Sequence, residues 1–233
     1  MAENDQLTGK TIVITGSSKG IGRTTASLLE QSGANLVLGS RSNQPFIRGN
    51  VLEIPLDVRS EQSVQSFYEK AVQQFGSIDV LINSAGVGMF ESIIDSSTDD
   101  FEQMISVNLR GTYLTCKYFG KHMAMQGKGH ILNLISIAGT TALPGCGGYS
   151  ASKFGVLGLT RVLQAELRRQ GVQVTAVLPG AVSSSFWETI EPTPDVSQMI
   201  PVETVAKHLL YLINQPSGAV VDEITIMPPH GIL

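Results

Sequence analysis

Tyr149 and Lys153 stand four residues apart in Tyr149-Ser150-Ala151-Ser152-Lys153, and Ser136 lies thirteen residues before the tyrosine. Positions i and i+4 share one face of a helix, so the phenol and the ammonium meet on the same side. An ammonium beside a phenol favours the phenolate and draws a tyrosine pKa down from about 10. A tyrosine tuned in that way can act as a general acid or base. The spacing alone fits a solvated surface pair equally well, and other residues must decide. They do so at the N-terminal end. Thr11-Ile12-Val13-Ile14-Thr15 is a short β-branched run without alternation, the pattern of a buried strand. It runs into Gly16-Ser17-Ser18-Lys19-Gly20-Ile21-Gly22 and then into a helical pattern, Ile21, Ala26, Leu28 and Leu29, that stops at Gly33. Glycines at such a turn let the backbone approach a pyrophosphate, and a helix N-terminus offers unpaired amides and partial positive charge. The spacing G-x-x-x-G-x-G differs from the G-x-G-x-x-G fingerprint. Its place between a buried strand and a helix nevertheless favours a dinucleotide over a plain turn.

The elements that must position these groups alternate along the chain. Strands are expected near 11–15, 35–39, 51–55, 79–83, 130–135, 172–178 and 219–226. Ser60 can cap a helix whose apolar face is Val64, Phe67, Tyr68, Ala71, Val72 and Phe75, ended by Gly76. Thr98, followed by Asp99 and Asp100, starts a long helix reaching about Met125, with carboxylates at its positive end. Gly148 to Gln170 reads as the helix that carries Tyr149 and Lys153, closed by Gly171, and Val202 to Asn214 as a last one stopped by Pro216. The pattern predicts a single α/β domain over residues 1–233, a doubly wound parallel sheet of seven strands with helices on both faces. Between the second and third strands lie only nine residues, Ser42 to Asn50. Fully extended they reach ~30 Å, enough to cross without a helix, and an irregular loop is expected. Ser183 to Ile200, with Phe186-Trp187, Pro192 and Pro194, is expected to form a short substrate lid. Trp187 has two readings there, substrate contact and packing.

Composition excludes several classes. The net charge of −4 comes from both signs scattered along the chain, which suggests neither a nucleic-acid surface nor a membrane-binding patch. No apolar run approaches ~20 residues. The start of the chain, with Glu3 and Asp5, has neither the basic nor the apolar region of a signal peptide. Cys116 and Cys146 form no metal spacing and are most simply reduced thiols of a cytoplasmic protein. His122, His130, His208 and His230 read as structural or exposed, and no metal site is expected.

Taken in order, the motifs resemble those of the classical short-chain dehydrogenase/reductase family, from about residue 8 to the end. They are Thr15 with Gly16, Gly20 and Gly22; Asp57-Val58; Asn83-Ser84-Ala85-Gly86; Asn108; Ser136; Tyr149 with Lys153; and Pro179-Gly180. The resemblance implies a Rossmann fold and a nicotinamide cofactor. It places Gly16, Ser18, Lys19, Gly20, Ile21 and Gly22 at the phosphates, Asp57 at the adenine amine and Val58 against the adenine ring. Asn83, Ala85 and Gly86 are expected beside the cofactor, as are Pro179, Gly180, Val182 and Ser184. An acid at the end of the second strand would hold the ribose hydroxyls of NAD, but Ser40-Arg41-Ser42 has none there. Arg41 can fork onto a 2′-phosphate and Lys19 can add a second cation, which favours NADP.

By the same resemblance Tyr149 exchanges a proton with the substrate oxygen while Lys153 lowers its pKa and binds the nicotinamide ribose. Ser136 polarises the carbonyl. Asn108 disturbs the middle of its helix and orders a water leading protons to Lys153. The implied activity is NADP-dependent hydride transfer between the nicotinamide and a small-molecule carbonyl or alcohol. The nearest subgroup is that of the 3-oxoacyl-acyl-carrier-protein reductases, with a small ketone, aldehyde or pterin-like substrate equally compatible. The other reading is a regulator that senses NADP without turnover. A homotetramer, or else a homodimer, is expected through the helices that start near Thr98 and carry Tyr149. Val156, Leu157, Leu159, Val162 and Leu163 give the second of these apolar residues on more than one side.

Overall fold

The computed structural model describes residues 7–190, 195–216 and 218–232. The chain begins with β1 (Thr11–Thr15), α1 (Gly20–Leu29) and β2 (Asn35–Ser40), followed by β3 (Phe46–Arg48), β4 (Val51–Pro55), α2 (Glu61–Phe75) and β5 (Val80–Asn83). A long helical path comes next: α3 (Thr98–Met104), a π-helical stretch (Ile105–Arg110) and α4 (Gly111–Gln126). Then follow β6 (Gly129–Leu134), α5 (Gly147–Leu167), β7 (Val172–Pro179), β8 (Val182–Ser183), β9 (Ile200–Pro201), α6 (Val202–Ile213) and β10 (Glu223–Ile226).

The main sheet has the order β10-β7-β6-β5-β1-β2-β4-β3. Every neighbouring pair is parallel except β3 with β4. Seven strands are therefore the expected ones, and the eighth corrects the expectation of an irregular loop. Phe46, Ile47 and Arg48 turn back antiparallel along β4 and cap its edge. The physical reason is that β4 would otherwise present a row of unpaired amides and carbonyls. A short return strand is all that nine residues can supply. A second, two-stranded sheet joins β8 to β9 and ties the start of the expected lid segment to its end. Pro192 and Pro194 of that segment, and Glu3 and Asp5 near the start of the chain, lie outside the described residues.

Alternation along the strands divides the core. Ile12, Ile14, Leu36 and Leu38 face α1 and α6, where Ala26, Leu29, Val205 and Leu209 cover them. Val13, Val37 and Leu81 point to the other face, against Phe67 of α2 and Phe119 of α4. Both faces are covered, as central parallel strands with continuous apolar runs require. The loops that follow β1, β2, β4, β5, β6 and β7 all emerge at one edge of the sheet, and the chemistry-bearing residues lie in them.

Candidate active site

At that edge β1 passes into its glycine turn. Gly16 has φ +69°, and a Cβ there would stand 2.7 Å from the backbone of Ala85. Thr15 Oγ1 accepts from the amides of Ser84 and Ala85, both at 3.2 Å, and locks the turn to the loop after β5. The first turn of α1 carries no acid, and Lys19 makes no capping bond, so its amides face outward with partial positive charge. Arg41 and Lys19 line the same cleft and have no acidic partner among the described residues. Asp57 also lines it, but its carboxylate takes a forked bond from Arg59, at 3.0 Å from Nε and 2.7 Å from Nη2. That bond holds the Asp57 carboxyl below its usual range.

The cleft, of about 710 Å³, continues to the ends of β5, β6 and β7. Ser136 follows β6 and is the one non-glycine described residue at positive φ, 152° with ψ 160°. That region is essentially reserved for glycine and costs on the order of 1–3 kcal/mol elsewhere. The Ser136 hydroxyl accepts from the Ala138 amide at 3.1 Å and lowers the pKa of Tyr149, with which it lines the cleft. Tyr149 begins α5, and one turn on, Lys153 Nζ donates to the carbonyl of Leu134 at 3.0 Å and lies 5.5 Å from the centre of the Tyr149 ring. Burial is the largest influence on both groups. It pushes the phenol up to about 12, against the pull of Ser136, and the lysine down to about 8. Tyr149 keeps part of its surface open to the cleft, so the upward push is the most that burial can exert.

Asn108 sits in the π-helical stretch, 1% exposed. Its Oδ1 accepts from the Val87 amide, and its Nδ2 donates to the Val87 carbonyl and to Ser152 Oγ, each at 2.9 Å. One amide thus ties the loop after β5 to α5, beside Lys153.

The chain matches the family model described as short chain dehydrogenase over residues 10–195. The chain belongs to the short-chain dehydrogenase family. It is an oxidoreductase. An uncharacterized oxidoreductase of Staphylococcus aureus strain MRSA252 is 36% identical over 229 residues, spanning 95% of this chain and 98% of that relative. The alcohol dehydrogenase of the archaeon Thermococcus sibiricus, solved with 5-hydroxy-NADP, superposes with a TM-score of 0.85 at 29% identity. The match covers 95% of this chain and 97% of that one. ElxO, solved with NADP bound, gives 0.83 at 27% identity, covering 94% and 96%.

In this short-chain dehydrogenase all but three of the residues expected at the site line the one cleft. The Asn83 side chain is 4% exposed and bonded to Thr115 Oγ1 and Asn133 Oδ1, because a polar side chain on a central strand must find buried partners. Gly22 belongs to the tight turn: a Cβ there would stand 2.4 Å from the Gly16 carbonyl oxygen. Asn108 is set behind the cleft wall, holding Val87 and Ser152. Burial is the largest influence on the Tyr149 phenol and raises its pKa, while the Lys153 ammonium donates to the Leu134 carbonyl. Of the apolar residues expected on more than one side of α5, Val156 and Leu157 are buried within the domain. Of those five residues Val162 is exposed. Arg59, Phe90 and Gly88 also line the cleft and escaped the sequence reading. Arg59 is detectable as a cation two residues after an expected adenine ligand, whereas nothing in the sequence around Phe90 marks it.

Proposed function

We propose that the protein is an NADP-dependent reductase or dehydrogenase of a carbonyl/alcohol pair. The observation that carries this reading is the continuity of the cleft. It starts at a glycine turn flanked by Lys19 and Arg41, and it ends at the half-buried Tyr149 phenol with Ser136 in the same lining. The cradle suits a dinucleotide. Gly16 approaches Ala85 too closely for any side chain, and the outward amides of α1 meet cations rather than acids. The neighbours solved with 5-hydroxy-NADP and NADP support the choice of cofactor.

When bound, the cofactor supplies or accepts the hydride. The chain's own residues do the rest. Arg41 and Lys19 hold a 2′-phosphate, and the α1 amides hold the pyrophosphate. Ser136 donates to the substrate oxygen, as a group aimed at developing alkoxide charge. Tyr149, protonated at neutral pH, gives its proton to that oxygen in reduction. Lys153, also buried, is anchored by Leu134 within reach of the nicotinamide ribose side of the cleft. Asn108 positions this lysine through Ser152 and the Val87 backbone.

Exposed Phe101, Tyr113, Phe154 and Val162 lie on α3, α4 and α5, and these support the reading of a homotetramer or homodimer built on those helices. No helix among the described residues is long and apolar enough to cross a membrane.

The experiment is NADPH oxidation against a broad panel of ketones and aldehydes, with wild type and Tyr149→Phe. The expected loss in the variant is ~10²–10⁴ in turnover with NADPH binding nearly intact. A variant within tenfold of wild type removes Tyr149 from the chemistry, and a wild type that binds NADPH but reduces nothing favours the sensing regulator.

A further inference from the structure

The end of the cleft around Tyr149 is built from rings. Phe90 lies with its centroid 5.5 Å from Tyr149 at 71°, and Phe186 lies 5.9 Å from Tyr149 at 53°. Phe90 and Trp187 are nearly parallel, 19° apart with centroids at 5.7 Å, and Phe186 meets Trp187 edge-on at 5.3 Å and 83°. All four residues are half-buried, so each retains surface toward the cleft. Two features hold the arrangement. Trp187 Nε1 donates to the Val182 carbonyl at 2.8 Å, which fixes the indole. Gly88 has no side chain where a Cβ would stand 2.4 Å from Phe186 and 3.1 Å from Phe90.

Charge is distributed just as unevenly. The charged residues lining the cleft are Lys19, Arg41, Asp57, Arg59 and Lys153. The first four follow β1, β2 and β4, whereas the rings follow β5 and β7 or begin α5, on the other side of the sheet's centre. Among the described residues, the lining around the rings, including Met89, Leu143 and Cys146, carries no charge except Lys153, whose Nζ lies 5.5 Å from the centre of the Tyr149 ring and donates to the Leu134 carbonyl. A carboxylate or phosphate set against Phe90, Phe186 and Trp187 would lose its water with only that one cation near. A flat apolar group would meet ring faces and edges at ordinary aromatic spacing.

We infer that the substrate, on the reading of the function proposed above, is an uncharged aryl ketone or aryl aldehyde, or the matching benzylic alcohol, with its ring laid against the cleft-facing surface of the packed cluster of Phe90, Phe186 and Trp187. In reduction the carbonyl carbon takes the hydride with its two electrons, and the oxygen takes the proton of Tyr149. A solvent proton then restores the phenol. Ketone and reduced dinucleotide become alcohol and oxidised dinucleotide.

The test compares kcat/KM for a phenyl methyl ketone, an alkyl methyl ketone of equal carbon number and a ketone bearing a carboxylate. The aryl compound is expected to lead by about tenfold or more, and Phe90→Leu, which keeps an apolar core residue, to reduce that lead by about tenfold. A carboxylated or alkyl ketone turned over as well as the aryl one overturns the inference. Binding is read separately. Trp187 is the chain's single tryptophan, so its emission reports this pocket. Titration with 1-phenylethanol should change it saturably in wild type and more weakly in Phe90→Leu. An absence of any saturable change overturns the inference even if other carbonyls are reduced. A saturable change with no carbonyl reduced upholds the aryl pocket and rejects the catalytic reading instead.

Discussion

Replacing Asn108 by alanine removes three buried hydrogen bonds at once, all at 2.9 Å. The Val87 amide and carbonyl are left facing the space vacated by the side chain, and Ser152 Oγ keeps its bond to the Tyr149 carbonyl at 2.7 Å. Each lost bond is worth about 1 kcal/mol net, and a stranded buried backbone group costs somewhat more. The total is about 3–4 kcal/mol. For a domain of this size ~1 kcal/mol shifts the melting temperature by ~2–4 °C, so Asn108→Ala should melt ~6–16 °C lower. Ser152→Ala breaks two bonds, one of them shared with Asn108, and should cost less. The double variant should therefore fall short of the sum by roughly the worth of the shared bond, about 1 kcal/mol. Differential scanning fluorimetry of the three variants measures this, with chemical denaturation to convert temperatures into free energies. The loop after β5 lines the cleft through Val87, so NADPH affinity should fall alongside stability. An Asn108→Ala protein melting within 2 °C of wild type would show that the amide bridge between Val87 and Ser152 carries no load, and the positioning role given to Asn108 would go with it.

Arg41→Asp should move preference from NADPH towards NADH, because a charge-assisted contact of ~1.5–3 kcal/mol is lost, roughly ten- to a hundredfold in affinity. Titration of both dinucleotides checks it, and a wild type that binds them equally refutes the charge argument. His130 has its pKa lowered to about 4 by burial, which is the larger cause, and by Lys10. With the folded value below the unfolded one, the unfolded chain binds the extra proton, so stability is fully present above pH 6.5 and is lost as pH falls towards 4. The loss is at most ~3 kcal/mol, since the residue keeps part of its surface. His130→Gln should flatten that segment of a denaturation-versus-pH curve, and an unchanged slope refutes the assignment.

The main outline of the fold was legible because it is local. Buried parallel strands are runs of Val, Ile and Leu such as Thr11–Thr15, helix ends are marked by residues such as Ser60 and Gly171, and their alternation leaves few topologies. Ser60 indeed caps α2 through the Ser63 amide at 3.3 Å, and Gly171 closes the α5 region with φ +77°. The return strand Phe46–Arg48 was not legible, because its pairing is fixed by the exposed edge of β4 rather than by any preference of its own three residues. Asn83 is read from the sequence as a neighbour of the cofactor, and only the packing of β5 against β6 makes its side chain a partner of Asn133 at 2.8 Å.

The same division holds at the site. Helical spacing put Tyr149 and Lys153 on one face, and the resemblance carried by the whole set of motifs singled them out together with Ser136. Their electrostatics did not follow from spacing. A lysine four residues from a tyrosine favours the phenolate, whereas burial disfavours the charged form of both groups. In the folded chain burial is the largest influence on each, raising the phenol and lowering the ammonium, and Lys153 Nζ donates to the Leu134 carbonyl. The ring cluster around Tyr149 likewise joins Phe90, Phe186 and Trp187 from loops after two different strands. Sequence determined which groups the protein carries and where along the helices they fall. Desolvation and long-range contacts depend on the whole packed domain, so only the tertiary structure decided their charge states and their neighbours.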